Sequence, residues 1–142
     1  MFRYEASSWG WDREKKWAEL CDESARYLLV QDSESKRLVA FAHFRFEMEA
    51  SEAVLYCYEL QVNRRFQRGG LGGYLVKCLE LIALKSHMDK ILLTVFPHNS
   101  SAVTFYTKKM MFSIDDTSPW QLNERGAKYY ILSLDLQRPS DI

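Results

Sequence analysis

Residues 67–73 read Gln-Arg-Gly-Gly-Leu-Gly-Gly, a run whose chemistry is that of holding an anion. Ahead of it, Ala53–Val62 is rich in the aromatic and branched residues that favour strands. Behind it, Leu71, Leu75, Cys78, Leu79 and Ile82 recur at helical spacing, with Lys77, Glu80 and Lys85 mostly off that stripe. A glycine-rich turn feeding a helix N-terminus presents unpaired backbone N–H groups, and the helix dipole adds to their pull on a negative charge. Gly70 and Gly72 carry no Cβ, so a pyrophosphate can approach the backbone closely. Two common phosphate loops are excluded. There is no Gly-x-x-x-x-Gly-Lys-Ser/Thr, and the spacing is not Gly-x-Gly-x-x-Gly with an acidic ribose partner after it. What remains is Gln67-x-x-Gly70-x-Gly72. The competing reading is that the glycines only make a tight turn between strand and helix.

The rest of the composition narrows the class. A chain of 142 residues suits one domain, 1–142, with room for a real core. Hydrophobic residues at 47% and charged residues at 27% are ordinary for a globular protein, while 14% aromatic is high. Formal net charge is zero and no basic run exceeds two residues, so nucleic acid is not an expected partner. No apolar stretch approaches the ~20 residues that span a bilayer, and no signal peptide opens the chain, so no membrane is expected. Cys21, Cys57 and Cys78 are odd in number and never form a Cys-x-x-Cys pair. That argues against disulfides and zinc and for a reducing compartment, nucleus or cytoplasm. His43, His87 and His98 are scattered, His43 reading as a packed or surface strand residue; no metal is expected.

The elements that must position this loop can be read in order. Phe2–Trp11 is an aromatic lead-in, and Asp12 can cap a helix over Arg13–Cys21. Strands are predicted at Arg26–Gln31, Leu38–Glu47 and Val54–Val62, with turns at Asp32–Lys36 and Ala50–Glu52. After the loop and its helix, Lys90–Phe96 is a continuous apolar strand of the buried kind. Pro97 stops it, Asn99 or Ser100 caps a helix through Met110, and Tyr129–Leu136 is the last strand. This order argues an α/β fold with a mixed, mainly antiparallel central sheet and helices on both faces.

The loop Gln67-x-x-Gly70-x-Gly72 resembles the coenzyme A pyrophosphate loop of the GNAT N-acetyltransferases, and the element order is similar to theirs. Such domains usually begin with a further strand and helix, so the start at Met1-Phe2 points to an N-terminally trimmed chain or a short family member. Longer strings resemble one branch of that family. They are Trp9-Gly10-Trp11 before Asp12-Arg13-Glu14-Lys15, and Phe41–Glu47 before Leu55-Tyr56-Cys57-Tyr58-Glu59. Leu93–Phe96 running into His98-Asn99, and Ile114–Pro119, complete the set. Together they look like the NatD N-alpha-acetyltransferases, which modify the N-termini of histone H4 and histone 2A. The resemblance runs from about Tyr4 to Ser133. It implies acetyl-CoA as donor, a peptide α-amine as acceptor and direct attack in a ternary complex. It further implies that Val54–Val62 splays from its neighbour, leaving Leu60, Gln61 and Val62 to hold pantetheine. Pyrophosphate would lie on Gln67, Arg68, Gly69, Gly70, Leu71, Gly72 and Gly73, and the pantetheine arm on Asn99. Thr94, Thr117 and Tyr129 would shape the active centre.

Transfer to an amine requires a neutral nitrogen. A peptide α-amine has a pKa near 8, so about a tenth is neutral at pH 7, whereas lysine near 10.4 is about three orders worse. Modest base catalysis then suffices, and Glu59 is the candidate base, raised in pKa by partial burial beside Tyr56 and Tyr58 and acting directly or through a water. Its competing reading is an outward strand residue in solvent. Strict alternation sets Tyr56 and Tyr58 on one face and Glu59 on the other; all three line one slot only with a bulge, which the resemblance implies. Trp9, Tyr56 and Tyr58, with Tyr4 nearby, are candidate walls for the peptide, or else core aromatics. Glu47, where the family typically has aspartate, is placed to pair a cationic substrate side chain. Tyr106 sits where many GNAT enzymes hold a tyrosine that protonates the departing thiolate, or else it is helix packing. Cys57 is disfavoured as an acetyl-enzyme nucleophile because no histidine is placed to activate it. The expected partner is the Ser-Gly-Arg-Gly N-terminus of histone H4 and histone 2A, met by a monomer in nucleus and cytoplasm. The alternatives are transfer to another amine, lysine or small molecule, and non-catalytic acyl-CoA binding.

Overall fold

Alternation of apolar and polar side chains along Leu38–Val62 builds a long hairpin, and the rest of the sheet grows from its second strand. The computed structural model describes residues 13–115, 121, 122, 126 and 128–136. In chain order the elements are α1 (Arg13–Leu20), β1 (Arg26–Gln31), β2 (Leu38–Glu49), β3 (Glu52–Val62), α2 (Leu71–Lys85), β4 (Lys90–Val95), α3 (Ser100–Thr104), β5 (Ser113–Ile114), β6 (Gln121–Leu122) and β7 (Lys128–Asp135). The sheet order is β1-β2-β3-β4-β7-β5, with β6 also on β7. Among the described residues only β3 and β4 run parallel, as their connection through α2 requires. The mixed, mainly antiparallel α/β architecture expected from the sequence is the observed one.

Some boundaries move, each for a local reason. The β2–β3 turn was expected over Ala50–Glu52 but closes in two residues. Ala50 (φ 48°) and Ser51 (φ 68°) both take the left-handed conformation, the primed-turn geometry that matches strand twist, and the strands reach Glu49 and Glu52. The expected helix through Met110 is α3 followed by a π-helical turn over Phe105–Lys109, closed by Met110 N–H donating to the Phe105 carbonyl at 2.9 Å. The Asn99 side chain caps α3 by accepting from Ala102 N–H. The two-residue strands β5 and β6 and a 3-10 turn over Arg64–Phe66 carry too few residues to show periodicity.

One sheet face is the core. Ala42, Phe44, Leu55, Cys57, Ile91, Leu93, Val95 and Leu132 meet Val76, Leu79 and Ala83 of α2, with Met110 and Phe112 closing the edge. Burial of this apolar surface is the main force holding α2 to the sheet. The other face is polar and aromatic, and α1 lies against it. Lys90, at the mouth of the apolar strand β4, is itself buried and bonds Asp115 at 2.9 Å and Glu52 at 3.1 Å, so its charge is compensated.

Leu79 is 1% exposed and central to the α2 contact. Leu79→Ala should lower unfolding free energy by about 2–5 kcal/mol; a denaturant midpoint unchanged from the parent would mean that α2 does not seat through this residue.

Candidate active site

The glycine loop leaves open space at the start of α2 rather than forming a sealed turn. Gln67 closes the 3-10 turn, and its side chain donates to the Val62 carbonyl at 2.9 Å, tying the loop to the end of β3. Arg68 (φ 68°) and Gly70 (φ 83°) are left-handed. Gly70 is the N-cap of α2, and no side chain caps that helix, so its first N–H groups are left for another acceptor. A Cβ at Gly70 would meet nothing within 4 Å, whereas one at Gly72 would lie 3.4 Å from the Phe105 ring. The sequence reading gave both glycines to ligand approach. The structure divides the work: Gly70 leaves the open space, and Gly72 lets α2 pack on the Phe105 turn. Leu71 and Gly73 form the first helical turn, Gly73 facing the Met110 sulfur.

Beside the loop the sheet opens. Pairing of β3 with β4 covers Val54–Cys57 and stops, while β4 continues against β7 through Thr94 and Val95. Among the described residues, Glu59–Val62, including Leu60, Gln61 and Val62, pairs with β2 alone, so its other edge faces the gap. Asn99 stands beyond β4, its Oδ1 accepting from Ala102 N–H at 3.3 Å to cap α3.

At the same place β3 carries a bulge. His43 opposes Glu59 and Phe44 opposes Cys57, so Tyr58 has no partner of its own. The extra residue turns Glu59 to the face of Tyr56 and Tyr58 and resolves the conflict that alternation posed. Tyr56, Tyr58 and Glu59 now share one face with His43, Arg45 and Glu47. The Tyr56 hydroxyl bonds Thr94 Oγ1 at 2.6 Å. Tyr58 donates to the Glu47 carboxylate, with Arg45 stacked 4.3 Å over its ring. Burial, then the bond to Glu47, raises the Tyr58 phenol well above its ordinary value; burial raises Tyr56 as well. Both are neutral donors at physiological pH. Tyr129, half-buried on β7, completes this side. Tyr4, Trp9 and Thr117 lie outside the described residues.

Glu59 is not in solvent: its side chain is 7% exposed. It accepts from Gln61 at 2.9 Å and makes an ion pair with Lys16 of α1. His43 is fully buried and stacked between Tyr27 and Tyr58. Desolvation, helped by Arg45 and Lys16, lowers its pKa to about 4, so the ring is neutral. Its Nε2 accepts from Arg45 Nε at 3.3 Å, the tautomer that bond requires. Glu19, His43 and Glu59 place ligand-type atoms within 4.8 Å of one another, a cluster that their spacing in sequence does not reveal. The Lys16 ammonium pairs with both carboxylates and supplies the cation there. Lys16 and Glu19 were missed by sequence reasoning because only the packing of α1 brings them to this place, and Arg45 because its role depends on β2 lying beside β3.

Tyr106 stands on the opposite face. It packs between Phe105 and Phe112 beside the core, and burial, with Cys57 nearby, raises its pKa strongly. A phenol so protonated can donate to an anion and does not ionise itself. Cys57 is pushed up to about 12 by burial, so its thiol is inert at neutral pH.

A glycine loop at a helix start, a splayed strand edge and a bulged strand beside that gap thus lie together. Residues 2–112 match the acetyltransferase (GNAT) family, and the chain belongs to it. It is thus an acetyl-CoA-dependent acetyltransferase. Solved structures share the fold. Arabidopsis thaliana NAA60 in complex with a bisubstrate analogue has a TM-score of 0.70 at 14% identity, over 94% of this chain and 87% of that one. Arabidopsis thaliana Naa50 with the bisubstrate analogue CoA-Ac-MVNAL has 0.58 at 26%, over 71% and 68%. A GNAT acetyltransferase of Elizabethkingia anophelis with acetyl-CoA bound has 0.67 at 16%, over 88% and 85%.

Gly70→Val would force a branched residue into φ 83° and project it into the open cradle. Acetyl-CoA affinity should fall by about tenfold or more, about 1.4 kcal/mol. Calorimetry on the folded variant checks this, and parental affinity would remove the loop from the donor site.

Proposed function

We propose that the chain is an N-alpha-acetyltransferase of the NatD kind, which moves the acetyl group of acetyl-CoA to the free α-amine of histone H4 and histone 2A. The observation that carries this reading is the bulge at Tyr58, which puts a shielded carboxylate, Glu59, in an aromatic slot at the sheet opening. The slot lies across β3 from Tyr106. A peptide entering from the α1 face would present its amine to Glu59, which takes the proton directly or through a water. The neutral nitrogen attacks the acetyl carbonyl carbon, and the C–S bond breaks. Tyr106, on the far face and kept protonated by burial, would donate a hydrogen bond to the departing thiolate, which takes its proton from solvent. Attack and departure then occur from opposite sides of one strand.

Support for a peptide acceptor comes from Naa50, whose bound analogue joins CoA to the peptide MVNAL. Support for a Ser-Gly-Arg-Gly start comes from Glu47, which anchors Tyr58 and has a second oxygen available to a guanidinium. Such a substrate is met in the cytoplasm, where histones are made, and in the nucleus.

Two measurements test the proposal. Acetylation of a Ser-Gly-Arg-Gly peptide should require the free α-amine, and Glu59→Gln should slow turnover by about a hundredfold or more while acetyl-CoA still binds. Rapid acetylation of an α-amine-blocked, lysine-containing peptide would instead identify a side-chain acetyltransferase. In a double-mutant cycle, Glu47→Gln should cost about 1–3 kcal/mol more on the arginine peptide than on its alanine counterpart. Tyr58→Phe controls for loss of the Tyr58 anchor. Equal losses on both peptides would assign Glu47 to holding Tyr58 alone.

A further inference from the structure

The nitrogen that touches Glu59 in this structure belongs to the chain itself. Lys16 Nζ makes ion-pair contact with Glu59 Oε1, and the Lys16 side chain is 13% exposed. A second carboxylate, Glu19, lies 3.7 Å from the same nitrogen. A general base must lie within hydrogen-bond reach of the nitrogen whose proton it removes. If Glu59 serves the incoming α-amine, the amine already resting on Glu59 stands in the acceptor's place.

Three features make that amine a competent nucleophile. It is held by the fold, so attack on a bound thioester is intramolecular and gains from effective concentration. Burial lowers the pKa of its ammonium below lysine's ordinary value, Glu19 opposing the shift and Arg45 adding to it. The contact with Glu59 stabilises the cation at rest and provides the route by which its proton leaves. Exposed lysines such as Lys15 and Lys77 have no such shielding.

We propose that Lys16 is a self-acetylation site: with acetyl-CoA bound and no peptide present, its Nζ takes the acetyl group. The inference rests on the reading of Glu59 as the acceptor-side base. The Nζ lone pair forms the N–C bond to the acetyl carbonyl carbon, and the C–S electron pair leaves on the coenzyme sulfur. Glu59 receives the amine proton, and the thiolate takes up a proton to give free CoA. No oxidant or reductant is involved. The product is a neutral amide, so both ion pairs of Lys16 are lost and Glu59 is left without its counter-cation. Peptide and Lys16 compete for one position, so a bound peptide shields the lysine.

The experiment is a time course of the full chain with acetyl-CoA, with and without Ser-Gly-Arg-Gly peptide, read by peptide-mapping mass spectrometry alongside peptide turnover. One acetyl group should accumulate on Lys16 at least about tenfold faster than on Lys15 or Lys77, saturating peptide should suppress it, and Glu59→Gln should slow it by about a hundredfold. Lys16→Arg should remove this modification and leave the slow background on exposed lysines. If peptide is turned over while Lys16 stays unmodified, or gains acetyl no faster than Lys15, the inference fails and the N-terminal transferase reading stands. Lys16 modification that is equally fast in Glu59→Gln is uncatalysed chemistry and also overturns it. If neither amine is acetylated, both readings fall.

Discussion

One unpaired residue, Tyr58, sets the geometry on which the site depends. Without it, strand alternation would send Glu59 toward α2 and the apolar core, where an ionised carboxylate is strongly disfavoured. With it, Tyr56, Tyr58 and Glu59 reach the same side. The bulge also sits where β3 leaves β4, one residue past the last parallel pair at Cys57 and Leu93. The irregular backbone, the aromatic slot around Glu59 and the gap between β3 and β4 therefore meet at one place. Bulges near active sites re-aim side chains in this way.

The two faces of β3 are electrostatically unlike. Toward α2 lie Cys57, Leu55 and the core, with Tyr106 held neutral by burial. Toward α1 lies a dense set of partners: Lys16 with Glu59, Arg45 on Tyr58 and His43, and Tyr58 on Glu47. Shielded charges of this kind are tolerable because each has an opposite charge or a hydrogen-bond partner. His43 contributes by staying neutral, since a third cation beside Lys16 and Arg45 would be repelled. The aromatic column Tyr27, His43, Tyr58 stiffens the slot from behind.

α1 has a double part. Its Glu19 carbonyl accepts from Arg45 at 2.7 Å, and the Leu20 carbonyl accepts from Tyr27, so the helix is tied down at its C-terminal end. Its middle delivers Lys16 to Glu59. Under the proposed role of Glu59 as base, this helix must be displaced, or must yield its lysine, before an acceptor amine reaches Glu59, which would link the seating of α1 to substrate access.

The sequence alone determined what depends on local pattern. Alternation and apolar runs located the strands at Arg26–Gln31, in Val54–Val62 and from Lys90. Asn99 or Ser100 was legible as a cap because both side chains fit a helix start, and the fold takes Asn99. The glycine spacing at residues 67–73 marked the loop because few residue types permit that backbone. Glu59, Tyr56 and Tyr58 were legible as candidates by type, and Glu47 by its position near a strand end. Tertiary structure decided the rest. Whether Tyr58 bulges depends on its pairing with β2, which a single strand does not carry. Gly72's role in packing depends on Phe105 arriving from 33 positions along the chain. His43 and Arg45 reach the Glu59 face through the pairing of β2 with β3, and Lys16 and Glu19 reach it only when α1 folds onto the sheet. Burial then sets their protonation, and burial is a property of the whole fold.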